Sequence, residues 1–304
     1  MSMMDKPPDD WLKARRRVER RNSASPLRVL ASKRVLVVAA AVVVVLGAAA
    51  GLTVALSSGG PSTSNCQKAF VPAYFSQSAW SQATASRPAP SAMILNPSTG
   101  MGAGTAPNPA YQAVVKQAQA AGTTVLGYSS TASGLRPIAQ VEADVRNYKA
   151  WYGVRGIFLD VVNGIPGELH YYEQLASYIH RVIPGGSIWL NPGIYPDQRY
   201  MSVGNVVVVF EGTYLQYLND QVPSWARDFP AGKFADTVYD AASSSQADSV
   251  INLSRSRNAG YVYVTNLTGS DPYNALPSYW SNEVSAITTG CGHGSGGGSA
   301  VTLP

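Results

Sequence analysis

The sequence predicts a single (β/α)8 barrel of the TIM type, preceded by one N-terminal transmembrane helix. Three observations carry that reading. Eight short apolar runs alternate with amphipathic or Ala/Gln-rich stretches over about 225 residues, the pattern of buried parallel strands joined by crossover helices. Polar residues recur where those runs end, which is where a barrel keeps its chemistry. No Gly-x-Gly-x-x-Gly follows the first run, and this weighs against the rival, a doubly wound open sheet.

The eight runs are Ala69–Phe75, Ala92–Leu95, Thr124–Tyr128, Gly156–Leu159, Ile188–Leu190, Val206–Phe210, Thr237–Tyr239 and Tyr261–Val264. Several are rich in Val, Ile and Tyr, as buried strands are. Between them, Pro109–Ala121 reads as a helix closed by Gly122. Pro137–Trp151 opens on Pro and sets Ile138, Val141, Val145, Tyr148 and Trp151 on one face. Glu168–Ile183, Tyr214–Asp228, Ser243–Asn258 and Ala275–Thr288 are the further expected helices. The stretch after Asn191 is short and irregular, so that unit is expected to lack a proper helix.

Charge divides the chain. Residues 1–34 hold ten Lys/Arg against four Asp/Glu, a net +6; the remainder holds 13 against 14, a net −1, which together recover the +5 of the whole. Val35–Leu56 follows, 22 residues without a charge, spanning about 33 Å as a helix against a hydrocarbon core of roughly 30 Å. Basic residues before this run and none just after it predict a single-pass cell-membrane protein, N-terminus cytoplasmic and C-terminal part extracellular. A cleaved signal peptide is the alternative, but its apolar region is normally shorter. The basicity therefore reports topology, and no nucleic-acid partner is expected. The chain divides into a basic segment (1–34), an anchor (35–56), a linker (57–68), the barrel domain (69–290) and a Gly/Ser-rich tail expected to be disordered (291–304).

Two cysteines exclude a disulfide-framework miniprotein and any four-cysteine metal site. Cys66 precedes the first strand and Cys291 follows the last helix. Closing a barrel brings those ends together, so a Cys66–Cys291 disulfide is expected outside the membrane. The three histidines, His170, His180 and His293, fall in no ligand spacing. No metal and no cofactor are expected.

The polar residues at the run ends are Asn96, Tyr128, Asp160, Asn191, Glu211, Asp240 and Asn266. Leu-Asn-Pro ends two runs, at Leu95–Pro97 and Leu190–Pro192. Pro stops the ladder there and the Asn amide can donate and accept at the mouth, or fix its own loop. Tyr74, Tyr128 and Tyr239 offer aromatic faces near the same end; Trp189, Tyr195 and Tyr214 are weaker candidates of the same kind.

The segments Met93–Gly100, Val125–Thr131, Val154–Asp160, Leu190–Gly193 and Val208–Gly212 resemble, in order and spacing, those of the spherulation-specific family 4 (spherulin-4) proteins. The resemblance runs from about Phe70 to Ile287. It implies a (β/α)8 fold and a glycoside hydrolase that cleaves α-1,4-linked galactosaminoglycan, a partly deacetylated exopolysaccharide. It also implies catalytic acids at an Asp-Glu pair ending the fourth strand and a Glu ending the sixth. Asp160 and Glu211 match; the Glu expected after Asp160 is Val161.

Glycosidic hydrolysis needs one carboxyl to protonate the leaving oxygen and another to attack or to activate water. Glu211 follows the apolar run Val206–Phe210, so its pKa is expected to rise and suit it to the acid role. Asp160 is then the base or the stabiliser of the oxocarbenium-like state. Asp240 is a candidate to replace the missing carboxylate. Two strand ends about 10 Å apart are compatible with retaining or inverting geometry. The expected partner is a polysaccharide or oligosaccharide substrate, contacted by Tyr74, Asn96, Tyr128, Asn191, Tyr239, Asp240 and Asn266. The alternatives are a catalytically silent carbohydrate-binding barrel, motivated by Val161, and a structural envelope protein.

Overall fold

In a computed structural model, residues 66–289 are described. They close eight parallel strands into one barrel, each strand paired with its sequence neighbours and β1 with β8. The strands are β1 (Lys68–Pro72), β2 (Ala92–Leu95), β3 (Thr124–Ser130), β4 (Gly156–Asp160), β5 (Ser187–Leu190), β6 (Val206–Thr213), β7 (Phe234–Tyr239) and β8 (Tyr261–Val264). Every expected run is a strand. β6 continues past its apolar run to take in Glu211, and β7 begins three residues early, at Phe234. The anchor expected at 35–56, the tail and Cys291 lie outside the described residues. Among the described residues no helix is long and apolar enough to cross a membrane.

A helix follows each strand. They are α1 (Gln77–Ala85), α2 (Pro109–Ala120), α3 (Ile138–Tyr152), α4 (Leu169–Val182), α5 (Tyr200–Val203), α6 (Tyr214–Leu218), α7 (Ser244–Ser256) and α8 (Trp280–Thr288). Sequence-level caps set several boundaries. The Asn108 side chain accepts from the Ala110 N–H at the start of α2, and Gly153 adopts φ 61° to close α3. Thr213 and Gln216 form a capping box on α6.

Two of the expected helices are shorter in the structure. The long helix expected at 214–228 stops at Leu218 and resumes only as a 3-10 turn at Ser224–Asp228, because Pro223 lacks an N–H and clashes with the preceding turn. The last helix begins at Trp280 rather than Ala275, after Pro277. As expected, the unit after Asn191 has only the four-residue α5. The first crossover, where no helix is predicted, holds α1. Its single large apolar residue, Trp80, is fully buried and donates Nε1–H to the Ala73 carbonyl at 3.0 Å. One anchor of that size, on the order of 3–5 kcal/mol on truncation, replaces the periodic stripe that sequence reading relies on.

Close packing of the helical layer on the barrel demands small residues at particular points. A Cβ at Gly127 would lie 2.4 Å from Cγ of Tyr148 on α3, so glycine there lets α3 press on β3. A buried ion pair, Arg136 to Asp144 at 2.7 Å, binds the mouth loops together. Arg136 also donates to the carbonyls of Met101 and Ser130, and Asp144 accepts from the Ala103 N–H. At the opposite face, Lys68 at the start of the barrel and Ile287 near its end line one shallow hollow.

Candidate active site

Side chains alternate along a strand, and that parity selects what reaches the barrel mouth. On β4, Phe158 and Asp160 share one face; Asn191 follows β5, and Glu211 lies on β6. The β6–β7 register slips between Val208 and Phe210, just before Glu211. A bulge at that point re-aims the following side chain. Phe210 turns outward onto Tyr217 of α6, with ring centroids 4.7 Å apart, while Glu211 faces in.

The result is a narrow cleft lined by Pro72, Tyr74, Phe158, Asp160, Asn191, Glu211, Thr237 and Tyr273. Its centre is one amide. Asn191 Nδ2 donates to Asp160 Oδ1 at 2.8 Å and to Glu211 Oε2 at 2.6 Å. Two such bonds to a single nitrogen put the accepting oxygens no more than about 5.4 Å apart, a closeness that favours the short separation of retaining pairs over the 6.5–9.5 Å of inverting ones. Both amide hydrogens serve carboxylates, while buried Oδ1 has no partner among the described residues. That is a polar cost accepted to hold the pair.

The remaining lone pairs are also served. Tyr128 OH donates to Asp160 Oδ2 at 2.8 Å, and Tyr273 OH to Glu211 Oε1 at 3.0 Å. The backbone N–H of Val161 is a further donor to the Asp160 carboxylate. Tyr74 packs edge-on against both tyrosines, with centroids 5.6 Å from Tyr128 and 6.1 Å from Tyr273. Burial and the two nearby carboxylates hold its phenol well above the ordinary range, so its hydroxyl stays a donor.

The surroundings of Asp160 push its carboxyl up, to about 6. Burial is the main cause and the charge of Glu211 the second, opposed by the three donors. Asp160 is enclosed in the cleft, while β6 turns Phe210, the bulky neighbour of Glu211, away from it.

Of the expected sugar contacts, Tyr74, Tyr128 and Asn191 meet at the carboxylate pair. The others do not. Asn96 Nδ2 donates to Gly100 O at 3.2 Å and holds its own loop. Tyr239 is buried in the barrel core. Asp240 is exposed in a left-handed conformation, φ 60°, its N–H bonded to Leu267 O. It is no substitute for a missing carboxylate in the cleft. Asn266 accepts from the Ser278 N–H at 2.8 Å, bracing the loop after β8. Trp189 and Tyr195 pack into the interior. Tyr273, Thr237 and Phe158 are additional to the expected set. Tyr273 sits in a long loop with no periodicity to mark it.

No lysine, arginine or histidine stands among the cleft-lining residues. Among the described residues no three His, Cys, Asp or Glu side chains come together as metal ligands. Position 161 departs from the expected Glu, and Val161 is not one of the residues lining the cleft.

The profile of the spherulation-specific family 4 matches residues 68–287. Spherulin-4 of Physarum polycephalum is 31% identical over 204 residues, 64% of this chain, and the match spans 61% of that relative's length. Among solved structures, Aspergillus clavatus Sph3 in complex with GalNAc superposes with a TM-score of 0.64 at 25% identity, covering 73% of this chain and 98% of Sph3. A chitinase from Chromobacterium violaceum shares the fold alone, with a TM-score of 0.51 at 9% identity over 73% of this chain and 98% of its own. A match over the whole barrel, from the first strand to the last helix, makes the chain a member of the spherulation-specific family 4.

Proposed function

We propose that the chain is a retaining glycoside hydrolase acting on an amino-sugar exopolysaccharide of the α-1,4-galactosaminoglycan type. The observation that carries this is the Asn191 amide bridging two carboxylates from strand ends 4 and 6. The GalNAc bound by Sph3 supports the sugar class, and the absence of cations from the cleft lining suits a neutral or cationic sugar.

Asp160, held by three donors, is the nucleophile. Its oxygen attacks the anomeric carbon as the glycosidic bond breaks, and Glu211 delivers a proton to the leaving oxygen. Water then attacks the glycosyl ester, Glu211 takes its proton, and Asp160 leaves as carboxylate. Asn191, Tyr128 and Tyr273 stabilise the carboxylates in place, so that little reorganisation accompanies charge movement. Tyr74 offers a hydroxyl and a ring to the sugar. Val161 lies outside the lining, so in this reading the two carboxylates that meet are sufficient.

The test is release of reducing ends from purified galactosaminoglycan, with the anomer of the first product followed by NMR. Release with retained configuration supports the reading; release with inversion overturns the nucleophile role of Asp160. Binding without release is the outcome that the departure at Val161 favours, and it would make the chain a carbohydrate-binding barrel.

The same proposal includes membrane attachment through residues 35–56 and a Cys66–Cys291 bridge that closes the barrel's ends. Intact-mass measurement of non-reduced chain should fall 2 Da below the reduced value, the two hydrogens lost per disulfide at about 1 Da each. Two free thiols would refute the bridge.

A further inference from the structure

We infer that Thr131 is a positioning residue for Asp160: the left-handed turn it heads holds the strained Asp160–Val161 corner and keeps a backbone N–H on the carboxylate. This rests on the nucleophile role proposed for Asp160.

Val161 has φ 53°, a left-handed conformation that a β-branched residue adopts only under constraint. The constraint comes from the neighbouring loop, where Ala132, Ser133 and Gly134 are themselves left-handed in succession, with φ of 49°, 64° and 85°. Thr131 joins the two segments. Its N–H donates to Asp160 O at 2.9 Å. Its hydroxyl donates in a three-centre bond to Asp160 O at 3.0 Å and Val161 O at 2.9 Å. Ser133 N–H adds a bond to Val161 O at 2.8 Å.

Tyr172 backs the hydroxyl at 3.1 Å, and its own OH accepts from Asn163 N–H on the far side of the corner. Thr131 and Tyr172 are both fully buried. Strained backbone survives only where its surroundings over-determine it, and here the bonds from Thr131 and Ser133 all fall on the carbonyls of Asp160 and Val161. The Val161 N–H stands beside the Asp160 carboxylate and favours its charged form, so the Asp160–Val161 peptide that the clamp holds is also the one that serves the Asp160 side chain. Thr131 does not itself line the cleft and touches its lining only at the backbone of Asp160, so it acts through Asp160.

The experiment compares Thr131→Val, Thr131→Ser and the double variant Thr131→Val/Val161→Gly in the full-length chain. Readouts are kcat, KM, Tm and the midpoint of Asp160 titration from 13Cγ-labelled aspartate NMR, assigned with Asp160→Asn. Expected for Thr131→Val is a loss of about 10-fold in kcat with KM within about two-fold, as for a small misplacement of a reacting group. The Asp160 midpoint should move to higher pH as the Val161 donor is lost. Serine should restore both. Glycine at 161, which takes positive φ without strain, should recover turnover in the double variant.

A fall in Tm with kcat and midpoint unchanged overturns the inference, as does a serine variant as impaired as valine. If the wild type releases nothing from any saccharide, the hydrolase reading fails. The NMR midpoint then decides the clamp alone: movement in Thr131→Val supports it and no movement overturns it.

Discussion

Two of the aspartates that burial pushes up, Asp160 and Asp236, do different work. Asp160 ends β4, faces the cleft, and is pushed to about 6 with Glu211 beside it. Asp236 lies in β7, is 2% exposed, and is pushed to about 7 chiefly by burial. It faces the helical layer, where the Tyr217 hydroxyl donates to it at 2.6 Å and Arg257 stacks over that tyrosine at 4.5 Å. A perturbed carboxyl is therefore not enough to mark a site. What separates the two is access and partnership: Asp160 opens on a cleft and shares an amide with a second carboxylate, whereas Asp236 is sealed against one phenol.

The comparison breaks if the two respond alike to neutralisation. Asp160→Asn and Glu211→Gln should each lower turnover on galactosaminoglycan by about 10³-fold or more, the scale of losing a nucleophile or acid/base group. Steady-state kinetics at neutral pH checks this, and undiminished turnover in either variant removes that residue from the mechanism. Asn191→Ala removes the donor the two carboxylates share and should cost about 10²-fold in kcat, in line with loss of a preorganised donor. Tyr273→Phe removes a donor from Glu211 and should cost about 10-fold.

Asp236→Asn keeps the Tyr217 hydrogen bond and should leave kcat unchanged while raising Tm at pH 8. The sign follows from linkage. For a carboxyl raised from 3.8 to about 7 in the fold, the stabilisation of the protonated state is fully present below about 3.8 and lost as pH rises through about 7. Removing the charge removes that loss. Asp160 has the same sign over about 4 to 6, but its turnover runs the other way: a nucleophile must be ionised, so kcat should fall on acidification through about 6. Thermal melts and a pH–rate profile on the same samples separate the two aspartates. A Tm gain smaller than about 1 °C in Asp236→Asn would show its burial to be better compensated than the geometry indicates.

Much of the fold was legible because a parallel barrel writes itself as apolar runs, each too short for a helix and each closed by a polar residue. Asp160, Asn191 and Glu211 were found by that rule. Asn96, Asp240 and Asn266 satisfy it equally, yet the amides of Asn96 and Asn266 bind their own loops and Asp240 is exposed beside the loop after β8. Whether a strand-end side chain enters the cleft depends on pleat parity and on slips such as the one before Glu211. A single misplaced residue reverses the answer. Tyr273 was out of reach for another reason. It stands 62 residues from the carboxylate it serves, in a loop whose course is set by packing rather than by periodicity. The left-handed Val161 was equally hidden, since a valine in sequence reads as strand or core.

The hollow shared by Lys68 and Ile287 also gives the barrel a base and a mouth. The chain enters and leaves on the base, while Asp160 and Glu211 open on the mouth, so whatever continues the polypeptide in either direction is attached on the side away from the cleft. A polysaccharide substrate of the proposed hydrolase would then meet a mouth from which both ends of the described barrel, residues 66 and 289, are turned away.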